Sequence, residues 1–262
     1  MQQGSPPSSK KLWSSPPDGL TLGTSDVHIW RVSLEQPAAL VSNLRQLLAP
    51  DEQARADRFH FEIHRRHFIV GRGVLRNLLA RYLKIAPADI EFTYSEYGKP
   101  AVADSIAQAR RLNFNLAHSG EFALYAFTLM GEVGVDIETI RPDFTGDDIA
   151  RRFFSATEVG CLDQLEPQLR HEAFFNCWTR KEAFIKAKGI GLSLALDQFD
   201  VTLAPSEPAE LLRTRWDESE AGRWSLQAID VGPGYAGAVA VAAHDWRLSC
   251  WHVGEERLRA SL

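Results

Sequence analysis

The most constraining feature of this sequence is the stretch 174–192, FFNCWTRKEAFIKAKGIGL, in which apolar and charged residues alternate at helical spacing. No glycine or proline interrupts the pattern before Gly189, so a continuous helix is predicted up to that residue. Trp178, Glu182 and Lys186 follow one another at intervals of four. Each such step turns about 400°, so the three side chains share one stripe of the helix. An ordinary surface ion pair would also explain Glu182 and Lys186, because glutamate four residues before lysine is the favourable order.

A second informative stretch, GEVGVDIETIRP, occupies residues 131–142. Its alternating β-branched residues predict a short strand bounded by glycine and proline. Residues two apart on a strand point the same way, so Asp136 and Glu138 present two carboxylates on one side. Their mutual repulsion would be relieved by a hard cation such as Mg²⁺, which prefers carboxylate, water and phosphate oxygens. A solvated acidic edge of a sheet is the simpler alternative.

Together the two stretches resemble the 4′-phosphopantetheinyl transferase superfamily, whose members carry a G-[VI]-D-x-E strand and then a W-x-x-K-E-[AS]-x-x-K helix. Here the two motifs read GVDIE at residues 134–138 and WTRKEAFIK at residues 178–186. The resemblance extends over about residues 51–243. The length of 262 residues is similar to that of the longer, monomeric surfactin-synthetase-activating type, and not to that of the shorter trimeric class.

The resemblance implies a transfer reaction. The 4′-phosphopantetheine group of coenzyme A would pass to a serine of an apo acyl, polyketide or peptidyl carrier protein, and adenosine 3′,5′-bisphosphate would be released. The carrier could belong to fatty acid, polyketide or nonribosomal peptide synthesis. Two alternatives are a Mg²⁺-dependent phosphohydrolase and a non-catalytic module that binds coenzyme A or a carrier protein. Such a module would tolerate altered carboxylates, whereas the carboxylates of both motifs are intact.

The same resemblance assigns roles to the motif residues. Asp136, Glu138 and Glu182 would hold Mg²⁺, or Mn²⁺, against the pyrophosphate of the coenzyme. We predict that Glu182 is the base that accepts the serine proton and that Lys186 stabilises or protonates the leaving phosphate. Asp136 is counted among the catalytic residues because it holds the metal.

The predicted coenzyme ligands include several basic residues in the first half of the chain. Arg55 matches a family residue that binds a coenzyme phosphate, and it lies in the densest positive run, which extends over residues 55–76. Arginine suits this role because its planar fork matches phosphate oxygens. A second family arginine falls on His67, so we expect Arg66 to supply that charge. A solvated helix face would explain most of these arginines individually.

Further expected coenzyme ligands are found in two short motifs and in the central helix. Lys99 and Pro100 form a G-K-P motif, and His118 lies in FNLAHSG, which is similar to a family phosphate-binding segment. Ala117 stands where bacterial members commonly have serine, so one hydrogen bond to phosphate is expected to be lost. Lys181 and Lys186 complete the predicted set.

Composition limits the other possibilities. The net charge of −5 does not favour general attraction to nucleic acid. The three cysteines form no CxxC pair and no even framework, which suits a reducing cytoplasm. The sequence has no signal-peptide pattern and no run of about 18 apolar residues, so no membrane association is predicted. We therefore expect a soluble, cytoplasmic protein, and the family resemblance implies a monomeric enzyme.

The order of the predicted elements indicates an α+β fold with a faint internal repeat. The segment ADRFHF begins a helix, strand and paired strands in the first half, and ARRFFS begins the same order in the second. The predicted architecture is a pseudo-dimer of two similar halves with the active site in the cleft between them. Residues 1–24 are predicted to be a flexible arm, 25–130 the N-terminal half and 131–262 the C-terminal half.

Individual elements follow from periodicity and from turn residues. Helices are predicted at 38–48, 51–58, 64–83 and 147–165, in addition to the central helix. Strands are predicted at 27–34, 89–97, 112–116, 122–129, 199–203, 224–231 and 235–243, with an edge strand at 246–253. Residues 117–120 are expected to form the turn between two of these strands.

Overall fold

The computed structural model describes residues 13–107, 111–141 and 146–254 and confirms the α+β class. The helices are α1 (Ala38–Gln46), α2 (Pro50–Asp57), α3 (Glu62–Leu83), α4 (Asp104–Ala107), α5 (Asp147–Phe153), α6 (Ala156–Gln164) and α7 (Pro167–Lys188). The strands are β1 (Trp13–Ser14), β2 (Asp26–Ser33), β3 (Phe92–Tyr94), β4 (Pro100–Val102), β5 (Asn113–Ser119), β6 (Phe122–Thr128), β7 (Val133–Thr139), β8 (Phe199–Val201), β9 (Leu211–Thr214), β10 (Ser225–Ala228), β11 (Tyr235–Val241) and β12 (Arg247–His252).

The two halves of the chain repeat one arrangement of strands. In the first half β2 pairs antiparallel with β6, and β6 pairs antiparallel with β5. In the second half β7 pairs in the same way with β11, and β11 with β10. Between the first and second strand of each set lie two short helices, a 22-residue helix and a two-stranded hairpin, β3–β4 or β8–β9. The pseudo-dimer predicted from element order is confirmed.

Alternation along the strands produces a four-layer structure. In β2, Trp30 and Val32 pack with α1 and α3, whereas Val27 and Ile29 face the second sheet. In β11, the alanines at 236, 238 and 240 pack with α7, and the valines at 239 and 241 face the first sheet. The order of layers is therefore helices, first sheet, second sheet, helix α7.

The two sheets meet along a seam between β5 and β7. Here side chains of β5 form hydrogen bonds with the backbone of β7, in place of backbone-to-backbone pairing. The side-chain oxygen of Asn115 accepts a hydrogen bond from the buried amide of Val135 at 2.9 Å. The hydroxyl of Ser119 accepts one from the amide of Thr139 at 3.0 Å. These contacts satisfy buried backbone groups that would otherwise be costly to desolvate.

Two predictions about the chain ends differ from the structure. The strand expected at the edge, β12, instead lies between β1 and β2 and runs parallel to both, so residues after 246 join the sheet of the first half. Trp13 and Ser14, in the predicted arm, form the outer strand β1, while residues 1–12 lie outside the described residues. The predicted division of the chain at residues 130 and 131 stays a prediction.

Two other predictions are corrected locally. Ala117 and His118 belong to strand β5, and the turn to β6 is confined to residues around Gly120, whose φ is +55°. The helix predicted over 147–165 is two helices, because Ser155 is the N-cap of α6 and accepts a hydrogen bond from the Glu158 amide. In the part of the chain that the structure describes, no helix is long and apolar enough to cross a membrane.

Candidate active site

Helix α7 lies directly against β7 because Gly134 has no side chain. A β-carbon at Gly134 would lie 2.0 Å from the carbonyl oxygen of Ala183 and 2.3 Å from the amide nitrogen of Ala187. These alanines are the small residues of α7 that face the strand. The close approach places Glu182 and Lys186, their neighbours on the helix, beside the carboxylates of β7.

Asp136 and Lys186 form the central contact between these two elements. The Lys186 ammonium lies 2.5 Å from Asp136 Oδ1, while the other oxygen, Oδ2, is buried without a hydrogen-bond partner. Burial raises the pKa of Asp136 to about 7. Lys186 opposes this shift, and Glu138 and Glu182 reinforce it. A buried carboxylate oxygen without a donor is costly, which suggests that the site accepts a further cationic group.

The other two motif carboxylates lie around Asp136. Glu138 Oε2 accepts a hydrogen bond from the Ser119 hydroxyl at 3.0 Å, so a residue of the first half orients it. Glu182 is half-buried, and burial raises its pKa; Lys186 lowers it and Glu138 raises it. The three carboxylates therefore act electrostatically on one another, with Lys186 as the cation that opposes their repulsion.

These donors fit a hard divalent cation in kind but are not gathered around one point. Carboxylate oxygens are the ligands that Mg²⁺ and Mn²⁺ prefer, and Asp136 Oδ2 has a free coordination position. Within the described ranges, however, no three His, Cys, Asp or Glu side chains form a group that could hold a metal ion. Lys186 instead occupies Asp136 Oδ1. The metal set Asp136, Glu138 and Glu182 stays a prediction.

We expect the Asp136→Asn variant, in EDTA, to be more stable than the wild type at about pH 8, by a margin that disappears towards pH 4. The pKa of Asp136 is about 7 when the protein is folded, against an ordinary aspartate value of 3.8. Because the folded pKa is the higher one, the stabilisation from the protonated form is lost as the pH rises through about 7. The slope expected for one proton is about 1.4 kcal/mol per pH unit. Thermal unfolding across this pH range measures it, and a pH-independent margin would contradict it.

A basic cluster lies on the first-half side of the seam. His118 is on β5, and its pKa is lowered first by burial and then by Lys186 and His67. His67, on α3, also contacts Glu35 through Nε2 at 2.8 Å. The histidine that replaces the family arginine is therefore itself close enough to act on His118. Arg66, the expected substitute, donates a hydrogen bond to the Gln36 carbonyl at 2.6 Å.

Arg55 and Lys99 occupy different surroundings. Arg55 is exposed on α2, with its guanidinium 5.2 Å from the centroid of the Phe68 ring. Lys99 is half-buried and donates hydrogen bonds to the carbonyl oxygens of Val133 (3.2 Å) and Ala187 (2.8 Å). Burial lowers the pKa of Lys99 to about 8. It therefore ties the β3–β4 hairpin to both motif elements.

Beside Lys99 lies a cavity of about 870 Å³ between the hairpin and the C-terminal end of α7. Its lining includes Lys99, Pro100, Arg111 and Lys188. Pro100 begins β4 and contributes an apolar wall. Asp104 and Glu132 also line it, and its volume is within the range of small-molecule and cofactor sites.

Lys181 lies outside this site, so the sequence-based expectation that it assists in coenzyme binding is corrected. Its side chain is fully buried, and its ammonium contacts Glu158 Oε1 at 2.8 Å. It also donates to the carbonyl oxygens of Leu196 and Phe199, at 2.7 and 2.6 Å. These three acceptors hold the ammonium in the protein core, away from the carboxylates of β7.

Asn115 and Ser119 are residues of the seam that no sequence motif predicted. Both follow the same alternation on β5 as Ala117, so they point toward the seam, whereas His118 points the other way. Their polar side chains at alternate positions of a largely apolar strand are the sequence pattern that could have indicated this role. Trp178, the first residue of the predicted helical stripe, packs with Phe154 and Phe174.

Fold and site together define an α+β enzyme with a carboxylate–lysine site where two similar halves meet. Residues 132–243 match the model of the 4′-phosphopantetheinyl transferase superfamily, and residues 30–129 match that of the 4′-phosphopantetheinyl transferase N-terminal domain. The chain belongs to the 4′-phosphopantetheinyl transferase superfamily, as its paired motifs predicted.

Three relatives illustrate the breadth of the similarity. The 4′-phosphopantetheinyl transferase HetI of Nostoc sp. is 39% identical over 92% of this chain and 98% of its own. The 4′-phosphopantetheinyl transferase Sfp of Bacillus subtilis is 30% identical over 88% and 99%, respectively. The L-aminoadipate-semialdehyde dehydrogenase-phosphopantetheinyl transferase of Mus musculus is 27% identical over 76% and 68%.

Proposed function

We propose that this protein transfers the 4′-phosphopantetheine group of coenzyme A to a serine hydroxyl of an apo carrier protein, with Mg²⁺ as cofactor and adenosine 3′,5′-bisphosphate as the second product. One observation carries the proposal. Asp136 keeps a buried oxygen without a partner between two further carboxylates and Lys186, in a chain of this superfamily. That arrangement is suited to a cation and a pyrophosphate.

The residues of α7 supply the acid–base chemistry in this proposal. Glu182 accepts the proton of the attacking serine, and its raised pKa makes it a better base near neutral pH than an exposed glutamate. Lys186 moves from Asp136 toward the departing phosphate and stabilises or protonates it. Asp136, Glu138 and Glu182 would hold Mg²⁺, which would neutralise the charge of the pyrophosphate. Mn²⁺, with similar oxygen preferences, can replace it.

The coenzyme phosphates are bound by the basic residues of the first half and of the seam. Arg55, exposed on α2, and His118 beside Lys186 are the proposed phosphate ligands. His67 joins them because it acts on His118, and Arg66 contributes from the same turn of α3. Lys99 and Pro100 line the 870 Å³ cavity, which we propose holds the remainder of the coenzyme.

The carrier and the assembly belong to the same proposal. Because both halves of the pseudo-dimer are in one chain, residues from α3, β5, β7 and α7 meet without a second copy, which supports a monomer. The carrier is an acyl, polyketide or peptidyl carrier protein of a reducing cytoplasm. Neither nucleic acid nor a membrane takes part.

Intact-protein mass spectrometry tests the function directly. An apo carrier protein incubated with this protein, coenzyme A and Mg²⁺ is expected to gain the mass of one phosphopantetheine group, and EDTA is expected to prevent the gain. Fatty acid, polyketide and peptide carriers should all be tried.

The alternatives give different results in the same experiment. A Mg²⁺-dependent phosphohydrolase would cleave coenzyme A without a carrier. A binding module would bind coenzyme A and leave every carrier unmodified. Either outcome from the folded protein would overturn the proposed transferase activity.

A further inference from the structure

Lys181 belongs to a buried three-point arrangement, which we call the clamp. Its ammonium is held by Glu158 and by the carbonyl oxygens of Leu196 and Phe199. Glu158 is the third residue of α6, where its Oε2 accepts the Ser155 amide at 2.9 Å. The clamp therefore joins the start of α6, the middle of α7 and the turn that follows α7.

The first half contains the same clamp with arginine in place of lysine. Arg76 Nε contacts Glu52 Oε2 at 2.6 Å, and Nη1 donates to the carbonyl oxygens of Pro87 (2.8 Å) and Ile90 (3.0 Å). Glu52 is the third residue of α2, and its Oε2 accepts the Ala49 amide at 2.9 Å. The capping glutamate, the helix cation and the two carbonyls are all repeated.

The positions also correspond along the chain. Arg76 lies 14 residues after Glu62, the first residue of α3, and Lys181 lies 14 after Pro167, the first residue of α7. In each clamp the two carbonyls belong to the first residue of a short 3₁₀ turn and to the residue directly after it: the turns are Pro87–Asp89 and Leu196–Gln198. A chance buried ion pair would not repeat in this detail.

The two clamps differ in what lies beside them. Lys181 is followed by Glu182 and, five positions on, by Lys186. The corresponding residues after Arg76 are Asn77 and Arg81, so the first half has no carboxylate–lysine stripe at this place. Each clamp holds the long helix of its own half, α3 or α7. Only α7, held by the second clamp, carries the residues of the proposed chemistry.

We propose that Lys181 is a positioning residue, which with Glu158 sets the rotation and height of α7 so that Glu182 and Lys186 face Asp136. Successive helical residues are about 100° apart, so holding the Lys181 side chain in the core determines the direction of its neighbour. The buried ammonium has three oxygen acceptors, and withdrawing it would leave the buried Glu158 carboxylate without its counter-charge and two carbonyl oxygens without this donor. The inference rests on the proposed transferase activity.

The test compares the two clamps. Glu158→Gln/Lys181→Met removes the charges of the second clamp at nearly constant size. Glu52→Gln/Arg76→Met removes those of the first, where Arg72 also loses its charged contact with Glu52 Oε1. The thermal unfolding midpoint of each purified variant is measured first. Its kcat and its KM for coenzyme A are then measured at a temperature well below that midpoint. We expect kcat of the second-clamp variant to fall at least about tenfold with KM within about twofold, because small misplacements of catalytic groups are costly. The first-clamp variant should lose comparable thermal stability and keep its kcat.

Three results would overturn the proposal. An unchanged kcat in the second-clamp variant would make the clamp a matter of stability only, and a raised KM with unchanged kcat would make Lys181 a coenzyme ligand. Equal losses of kcat in both variants would indicate general destabilisation. If the second-clamp double variant does not fold, Glu158→Gln alone, which leaves Lys181 on its two carbonyls, is judged by the same criteria. The wild type is assayed alongside the variants. If it transfers phosphopantetheine, these three results bear on the clamp alone; if it does not, the proposed function itself fails.

Discussion

Glu182→Gln is expected to lower the rate of phosphopantetheine transfer by about 10³-fold, within the 10²–10⁴ range of a positioned general base. Glutamine keeps the shape of the side chain but accepts no proton and contributes no negative charge. The same change should leave the protein equally or more stable, because burial and Glu138 both disfavour the charged form of Glu182 by raising its pKa. Loss of activity without loss of stability is the expected signature of a catalytic residue.

Initial rates of carrier modification, followed by intact mass, and thermal unfolding together measure both parts of this prediction. Glu172→Gln is the matched control, since Glu172 is an exposed glutamate on the same helix. It should transfer at the wild-type rate. A Glu182→Gln variant that keeps more than about a tenth of the wild-type rate would exclude Glu182 as the base.

Gly134→Ala is expected to destabilise the protein by about 3 kcal/mol or more, at the upper end of the range for overpacked cores. The added methyl group would lie 2.0 Å from the Ala183 carbonyl oxygen and 2.3 Å from the Ala187 amide. Both are backbone atoms of α7, so no side-chain rotation can relieve the clash, and the helix must move away from β7. That movement also separates Glu182 and Lys186 from Asp136, so transfer should fall at temperatures where the variant is still folded.

Urea unfolding measures the loss, and Gly160→Ala provides the control. Gly160 lies within α6, and a β-carbon there would meet nothing within 4 Å. Alanine at this helical position is expected to raise the stability by up to about 1 kcal/mol. If the two variants had the same unfolding midpoint, the close contact between α7 and β7 would not be a constraint on the fold.

Trp178 and Lys181 show what helical spacing in the sequence can predict and what it cannot. Periodicity correctly placed Trp178, Glu182 and Lys186 on one continuous helix, which begins at Pro167 and ends at Lys188, with Gly189 as its C-cap. It could not show that Lys181 is buried. Its three acceptors lie at residues 158, 196 and 199, and whether a charged side chain enters the core depends on such distant partners.

Strand β12 shows the same limit for sheets. Its composition predicted a strand, but a strand pattern contains no information about which neighbour it pairs with. The parallel pairing with β2 brings the end of the described chain back to the first half. In the same way, His67, His118 and Lys186 come from α3, β5 and α7, and their mutual influence arises only when the two halves are packed together.

The sequence by itself determined the superfamily, the α+β class, the order of elements in two similar halves and the pairs Asp136–Glu138 and Glu182–Lys186. The superfamily follows from the resemblance of the two motifs. The elements and the residue pairs follow from local spacing, because helices and strands direct side chains with periods of about 3.6 and 2 residues. Only the tertiary structure decided that Asp136 retains a buried oxygen without a partner, that Ser119 holds Glu138 and that Lys181 belongs to the core. Those properties arise from burial and from contacts between residues far apart in the chain, which local periodicity does not encode.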